Sequence, residues 1–419
     1  MNPLLPRKHF VPDAEARVMP DGKLYLYGSY DRSGCKDYCS KEYHVFVTDD
    51  AAMEHWTDCG VSFRNTKDGA GIPWCPDTVL YAPDAICRNG KYYLYMCGSN
   101  GFEGVAVSDY PQGPFTDAQP IAGADLNGID PSVFIDDDGQ AYYFWGQFRL
   151  KGAKLNEDMV SLDLSSYQEG ILTEQEHGFH EGSSIRKHNG RYYMVYTDTS
   201  RGRATCMSYA VAYAPLGPYT RGGVIVDNTY CDPGTWNNHG SICEYKGQWY
   251  IFYHRSSQNS ITSRRVCVEP IHFNEDGSID EVMMTSQGAS GPLNAFDWID
   301  ASLACRVKGN VYIAPDPDCD PDAPNEILTN GGGGNWIEDW AEYRYLDFAD
   351  GAVTWTLRAR GEGTVSVMTT QNRIVGAIEI SENTFTEKDC ALNAALNGVL
   401  PVWLLIQGKN VEIDAFRFA

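Results

Sequence analysis

One pattern recurs five times along this chain of 419 residues and constrains its fold more than any other feature. Each copy is a short apolar strand, a tight turn ending in glycine, and a run dense in tyrosine and aliphatic side chains. The copies span residues 16–27, 85–95, 132–145, 184–196 and 241–253. Four tips carry Asp-Gly or Asn-Gly and the last carries Lys-Gly, so each copy reads as a β-hairpin. The turn glycines fall at 22, 90, 139, 190 and 247, giving spacings of 68, 49, 51 and 57. Such a period, with about four strands per unit, is what a propeller requires, because each blade is one small antiparallel sheet. Segments such as Val105–Ser108 and Tyr209–Ala212 supply the outer strands, and almost no amphipathic helix can be placed. A sandwich with repeated hairpins is the competing architecture; five copies at this spacing favour the propeller.

The texture changes near residue 290. Tyrosine-rich hairpins stop after a loop holding Gly288, Gly291 and Pro292, and an Asp/Pro-rich loop (316–322) and a glycine run (331–334) follow. Alternating segments such as Ala341–Phe348 and Val353–Leu357 then read as half-buried strands. The expected organisation is all-β: a five-bladed β-propeller over residues 1–288 and a β-sandwich, or jelly roll, over 293–419.

The repeat also locates the chemistry. Nine residues before the turn glycine stand Asp13, Asp130 and Glu181 in units one, three and four, and eight before it in the last unit stands His239. Equivalent positions of propeller blades share one radius, so three acids from distant stretches face a common funnel. Any one alone is better explained as a strand or turn cap. Clustered carboxylates repel, and one should keep its proton near neutral pH. Glycoside hydrolysis needs that asymmetry: one acid protonates the leaving oxygen while an ionised partner activates water or attacks carbon.

Composition narrows the partners. A net charge of −23 disfavours nucleic acid and anionic membranes, leaving a neutral substrate as the simplest match. The 52 aromatic residues (26 Tyr, 16 Phe and 10 Trp) offer flat faces for sugars. The N-terminal residues show no apolar signal core, no window reaches membrane-span length, and thirteen scattered cysteines read as reduced thiols, so a cytoplasmic location is expected. Cys35 and Cys39 form a weak metal pattern and read better as loop thiols.

The segments Tyr81-Ala82-Pro83-Asp84-Ala85, Gly128-Ile129-Asp130-Pro131-Ser132-Val133, His180-Glu181-Gly182-Ser183 and Asn238-His239-Gly240-Ser241-Ile242 together resemble the blade signatures of glycoside hydrolase family 43. The likeness covers residues 10–285. It implies an inverting enzyme acting on oligosaccharides, with release of terminal arabinofuranose or xylose as the leading expectation. A galactosidase of the same family, acting on galactofuranose or β-1,3-galactan, and a non-catalytic glycan-binding propeller are the alternatives. Carried over by motif, Asp13 is the general base, Glu181 the general acid, and Asp130 the residue that raises the pKa of Glu181 and orients it. The first motif departs from the common pattern, which leaves Glu15 as a rival base. The resemblance further implies a sugar-binding lining from Tyr81 and Asp84, and an arginine at Arg264 or Arg265, with Arg265 preferred. Trp74, Trp145, Phe179 and Trp236 lie near the motifs as candidate stacking platforms. A structural Ca²⁺ near His239 is implied, with none required for the chemistry. Residues 335–343 and 411–416 resemble a family 6 carbohydrate-binding module, which in a cytosolic protein would serve better as a brace than as a glycan anchor.

Overall fold

The computed structural model describes residues 1–67, 71–124, 128–319, 324–333, 339–349, 351–369 and 373–419. Five antiparallel sheets follow one another along the first two-thirds of the chain. Blade I comprises Glu15–Val18, Leu24–Tyr27, Glu42–Thr48 and Thr57–Arg64, and blade II comprises Asp84–Arg88, Lys91–Cys97, Glu103–Ser108 and Thr116–Pro120. Blade III is built from Ser132–Ile135, Ala141–Trp145, Arg149–Leu155 and Leu162–Thr173, and blade IV from Phe179–His188, Arg191–Asp198, Cys206–Ala212 and Thr220–Asp227. Blade V has three strands: Ser241–Tyr245, Gln248–Ser257 and Ser260–Ile271.

The expected hairpins are the first and second strands of each blade. Their turn glycines take φ between 74° and 84°, and a side chain added at any of the five would meet nothing within 4 Å. Glycine is needed there for its left-handed backbone, not for space. At three tips the preceding residue (Asn89, Asn189 and Lys246) is left-handed as well, which matches strand twist in a two-residue turn. Tyrosines and aliphatics of the second strands are fully buried between neighbouring blades, as with Tyr95, Tyr143, Tyr193 and Tyr253.

Two devices close the ring. Blades I and V meet through a parallel bridge between Ala14 and Gly240, where the Ser241 hydroxyl accepts from the Ala16 amide and donates to the Ala14 carbonyl, both at 2.9 Å. The N-terminal segment then runs along the outer edge of blade V. The Leu4 amide donates to the Val266 carbonyl at 3.0 Å. The wholly buried Asn2 side chain donates to Val268, Glu269 and Thr285 and accepts from the Val268 amide.

A charged network seals the axis. Arg17 grips Asp84 with two bonds (3.0 and 2.6 Å) and reaches the Val133 carbonyl at 2.9 Å. Glu15 is paired with Arg17 and Arg186. These residues come from the innermost strands of blades I to IV. Paired and hydrogen-bonded in this way, the buried charges escape the penalty an isolated one would carry.

Beyond a short turn at Gly288–Ser290, ten strands from Leu293–Asn294 onward form a second β-domain. Its longest strands, Ala352–Thr369 and Val399–Phe418, pair along most of their length around a core holding Tyr343, Trp355, Phe416 and Phe418. Asn335–Glu338, part of the carbohydrate-module resemblance, lie outside the described residues, as do 320–322 of the acidic loop and Gly334 of the glycine run. The domain docks on the propeller through buried polar contacts: Glu326 takes bonds from Arg265 at 2.7 Å and Gln258 at 2.9 Å, and the Val307 amide donates to the Tyr230 carbonyl at 2.6 Å.

Candidate active site

Asp13 and Asp130 each stand two residues before an innermost strand, and both take left-handed backbone angles, φ 57° and 56°. A non-glycine residue held there is strained, and such strain gathers where the fold must aim a side chain. Glu181 instead lies inside the longer first strand of blade IV, at an irregular stretch where the register shifts on both sides of it. The following residue, Gly182, has φ 67°, and a side chain there would strike His239 and Thr197 at 2.8 Å. The irregularity turns Glu181 to the mouth and frees the Gly182 amide to donate to Asp130 at 3.1 Å.

All three acids line one cavity of about 240 Å³ at the axis, with Tyr38, Cys39, Tyr81, Gln147, Trp236, Asn237, His239 and Arg264 among the other walls. Its volume is below the roughly 300–1,000 Å³ of sites for drug-sized ligands. It suits a single sugar ring.

The acids differ in surroundings. Burial alone would push the Asp13 carboxyl up, but Arg264, His254 and His239 outweigh it and hold Asp13 far below the usual carboxylate range. Arg264 donates to its Oδ1 at 3.1 Å and Ser29 to its Oδ2 at 2.6 Å. Arg264 is itself fixed by Asp31, which takes two side-chain bonds of 2.9 Å from it, and it lies over the Tyr38 ring at 4.7 Å. Burial keeps His254 below its ordinary value, and its Nδ1 accepts from the Asp13 amide at 3.4 Å. Asp130 is the opposite case: burial first, then the charges of Glu181 and Asp13, push its carboxyl well above the ordinary value. Glu181 takes a bond of 2.7 Å from Gln147. The site thus combines one firmly ionised carboxylate, Asp13, with a second, Asp130, that keeps its own proton to higher pH. That is the division of labour that acid–base cleavage of an acetal requires.

Several expected site residues lie elsewhere. Glu15 is committed to Arg17 and Arg186 and Asp84 to Arg17, so neither faces the cavity. Trp145 and Phe179 have no exposed surface; they pack against Tyr143 and Tyr196 inside the blades. Trp74 stands edge-on to Phe102, and Arg265 pairs with Glu326 of the second domain. Alternation along the strand explains the last case: neighbours point to opposite faces, and the one aimed at the axis is Arg264. Tyr81 and Trp236 do reach the cavity, and Trp236 remains half exposed at its rim.

His239 lines the cavity with Nδ1 at 3.6 Å from Asp13 and 3.9 Å from Asp130. These side chains do not fit a directly held calcium ion. A hard cation wants six to eight oxygens, whereas one imidazole stands here beside carboxylates already engaged by Arg264, Ser29 and the Gly182 amide. Cys35 and Cys39 are free thiols, the first exposed and the second in the cavity wall.

The residues sequence reasoning missed are Ser29, Asp31, Tyr38, Gln147, Asn237 and His254. One signal was available for His254: the run Tyr253–Ser257 puts consecutive polar residues into a strand that is otherwise deeply apolar, and all are buried. Polar groups kept inside a blade need partners.

Comparison with known proteins decides the family. The model for "Glycosyl hydrolases family 43" matches residues 2–279. The chain belongs to this family. As a family 43 glycosyl hydrolase it is 33% identical over 351 residues to a xylosidase/arabinosidase of Thermoclostridium stercorarium, covering 73% of this chain and 72% of that one. It is 33% identical over 323 residues to a beta-xylosidase of Xylanibacter ruminicola, covering 65% and 97%. A GH43 beta-xylosidase/alpha-arabinofuranosidase from a compost metagenome, solved with xylotriose in a calcium-free form, superimposes with a TM-score of 0.58 at 30% identity over 68% of this chain and 97% of its own. The two-domain arrangement has a counterpart as well. An arabinoxylan arabinofuranohydrolase of Bacillus subtilis covers 100% of this chain and 97% of its own, with a TM-score of 0.59 at 24% identity.

Proposed function

We propose that this family 43 enzyme removes single terminal pentoses, α-L-arabinofuranosyl or β-xylosyl, from short hemicellulose- or pectin-derived oligosaccharides, with inversion at the anomeric carbon. The observation that carries the reading is the convergence of Asp13, Asp130 and Glu181 on one cavity sized for a single ring, above a sealed axis. Asp13, kept ionised by Arg264, takes a proton from the attacking water. Glu181, at the mouth, protonates the departing glycosidic oxygen. Asp130, itself held protonated to higher pH, accepts from the Gly182 amide and so fixes the strand from which Glu181 projects. Tyr81 and Trp236 offer faces for the bound sugar and its aglycone. The xylosidase and arabinosidase names of the relatives support the choice of sugar.

The second domain is read as a brace: it is tied to the propeller by the buried pair of Arg265 and Glu326. A cytoplasmic setting is supported by thirteen cysteines that are all unpaired.

Proton NMR of the first sugar released from nitrophenyl arabinofuranoside, xyloside and galactofuranoside tests the proposal. Initial appearance of the inverted anomer from a pentoside is expected. Retention, or turnover confined to the galactofuranoside, would overturn it.

A further inference from the structure

A second constellation of ligating side chains lies outside the cavity, where the N-terminal segment crosses blade I. His9 comes from that segment, His44 from the third strand of the blade and Asp58 from the fourth. Asp58 pairs across the sheet with Phe46, so it stands diagonal to His44 on one face. The His9 Nε2 lies 3.4 Å from Asp58 Oδ2 and the His44 Nδ1 3.5 Å from Asp58 Oδ1. Both nitrogens are buried and neither has a hydrogen-bond partner, and His9 as a whole is 5% exposed. The other nitrogen of the His9 ring is hydrogen-bonded to Tyr30 OH at 2.9 Å, while Glu42 Oε1 stands 3.8 Å from His44 Nε2, beyond hydrogen-bond reach. Tyr30 also stacks on the His44 ring at 4.2 Å, and Phe46 holds the His9 ring edge-on at 4.9 Å.

A buried imidazole nitrogen left without a bond is costly. Two of them aimed at one carboxylate, with Tyr30 hydrogen-bonded behind the His9 ring and stacked on the His44 ring, is the arrangement of a metal-binding histidine pair with a supporting group. Ligands at 2.0–2.1 Å from a tetrahedral ion stand roughly 3.3 Å apart; here the two nitrogens lie 3.4 and 3.5 Å from the two oxygens of Asp58, and one ligand atom from each of the three residues lies within 4.8 Å of the others. The donor set of two imidazoles and one carboxylate suits a zinc-class ion and is poor for calcium.

We propose that His9, His44 and Asp58 bind one divalent transition-metal ion of the zinc class, with solvent in the fourth position, and that the ion clips the N-terminal segment to blade I. The exposed Asp58 provides the way in. The clip has structural reach: the segment it holds lies along blade V on one side and leads within four residues to Asp13 on the other.

The test uses the full-length, tag-free protein, stripped with a chelator and titrated with Zn²⁺, then separately with Co²⁺. One equivalent of zinc is expected, with a rise in melting temperature on loading. His44→Gln and Asp58→Asn should each lose both effects, while Tyr30→Phe keeps the ligands and weakens binding about 10–100-fold. The cobalt form should show tetrahedral ligand-field bands with no thiolate charge transfer. Zinc binding unchanged in both ligand variants, a thiolate band in the cobalt spectrum, or no stoichiometric binding by the parent protein would each overturn the assignment.

Discussion

The two aspartates at equivalent blade positions share a strained backbone and a neighbour in His239 but differ in the charges around them. Asp13 sits against Arg264 and two histidines; Asp130 feels the charges of three carboxylates, Glu181, Asp13 and Glu103. Replacing Asp13 by Asn or Glu181 by Gln should lower kcat by roughly 10²–10⁴ while the fold stays intact, measured by hydrolysis rates beside circular dichroism. Asp130 makes a sharper case because function and stability pull apart. The unfolded chain ionises this carboxyl near about pH 3.9, whereas burial and its acidic neighbours delay ionisation in the fold to much higher pH. Between those limits the native state binds more protons than the unfolded one, so stability falls as pH rises. Asp130→Asn removes that loss. The variant should therefore melt higher than the parent at neutral pH, by about 2–4 °C for each kcal/mol regained, and the gap should close toward about pH 4. Its kcat should fall, and the basic limb of its pH–rate profile should move. An unchanged profile would remove Asp130 from the chemistry.

At the scale of strands and turns, the hairpins were open to sequence reasoning because glycine at a left-handed tip and alternating tyrosines are local requirements. The register of Asp13 and Asp130 followed from the same repeat. What stayed hidden is long-range. Arg264 and Asp31 are far apart in sequence, and nothing local says that they lock together behind Asp13. The choice between Arg264 and Arg265 depended on which face of a strand looks inward, and that between Asp13 and Glu15 on the left-handed backbone at Asp13 just before the strand. Trp145 and Phe179 lay close to the motifs in sequence but face the blade interior. The N-terminal strap was hidden too, since Asn2 gains meaning only beside Val268. Asn2→Ala leaves buried groups of blade V without partners, and a loss of about 2–3 kcal/mol is expected in denaturant unfolding.

For the whole molecule, the joint between the two domains rests on buried polar groups. Glu326 accepts from Arg265 and Gln258, and Arg265 also covers the Phe10 ring at 4.1 Å. Glu326→Ala would strand a buried guanidinium, and such breaks cost about 3–5 kcal/mol. Calorimetry should show the propeller transition moving down, because Arg265 belongs to blade V. If the second domain is a brace, Glu326→Ala should also shorten the life of the enzyme at elevated temperature, with no change in KM for short oligosaccharides.

The buried knot of Arg17, Glu15, Asp84 and Arg186 on the innermost strands, behind Asp13, Asp130 and Glu181, makes the cavity a blind alley. A sugar chain cannot thread through it and be clipped repeatedly like rope through a winch. After each cut the shortened chain must back out by the way it came and the freed monosaccharide must follow. Digestion of a mixed oligomer ladder should therefore erode every rung at once, with no molecule carried from full length to completion while its neighbours wait.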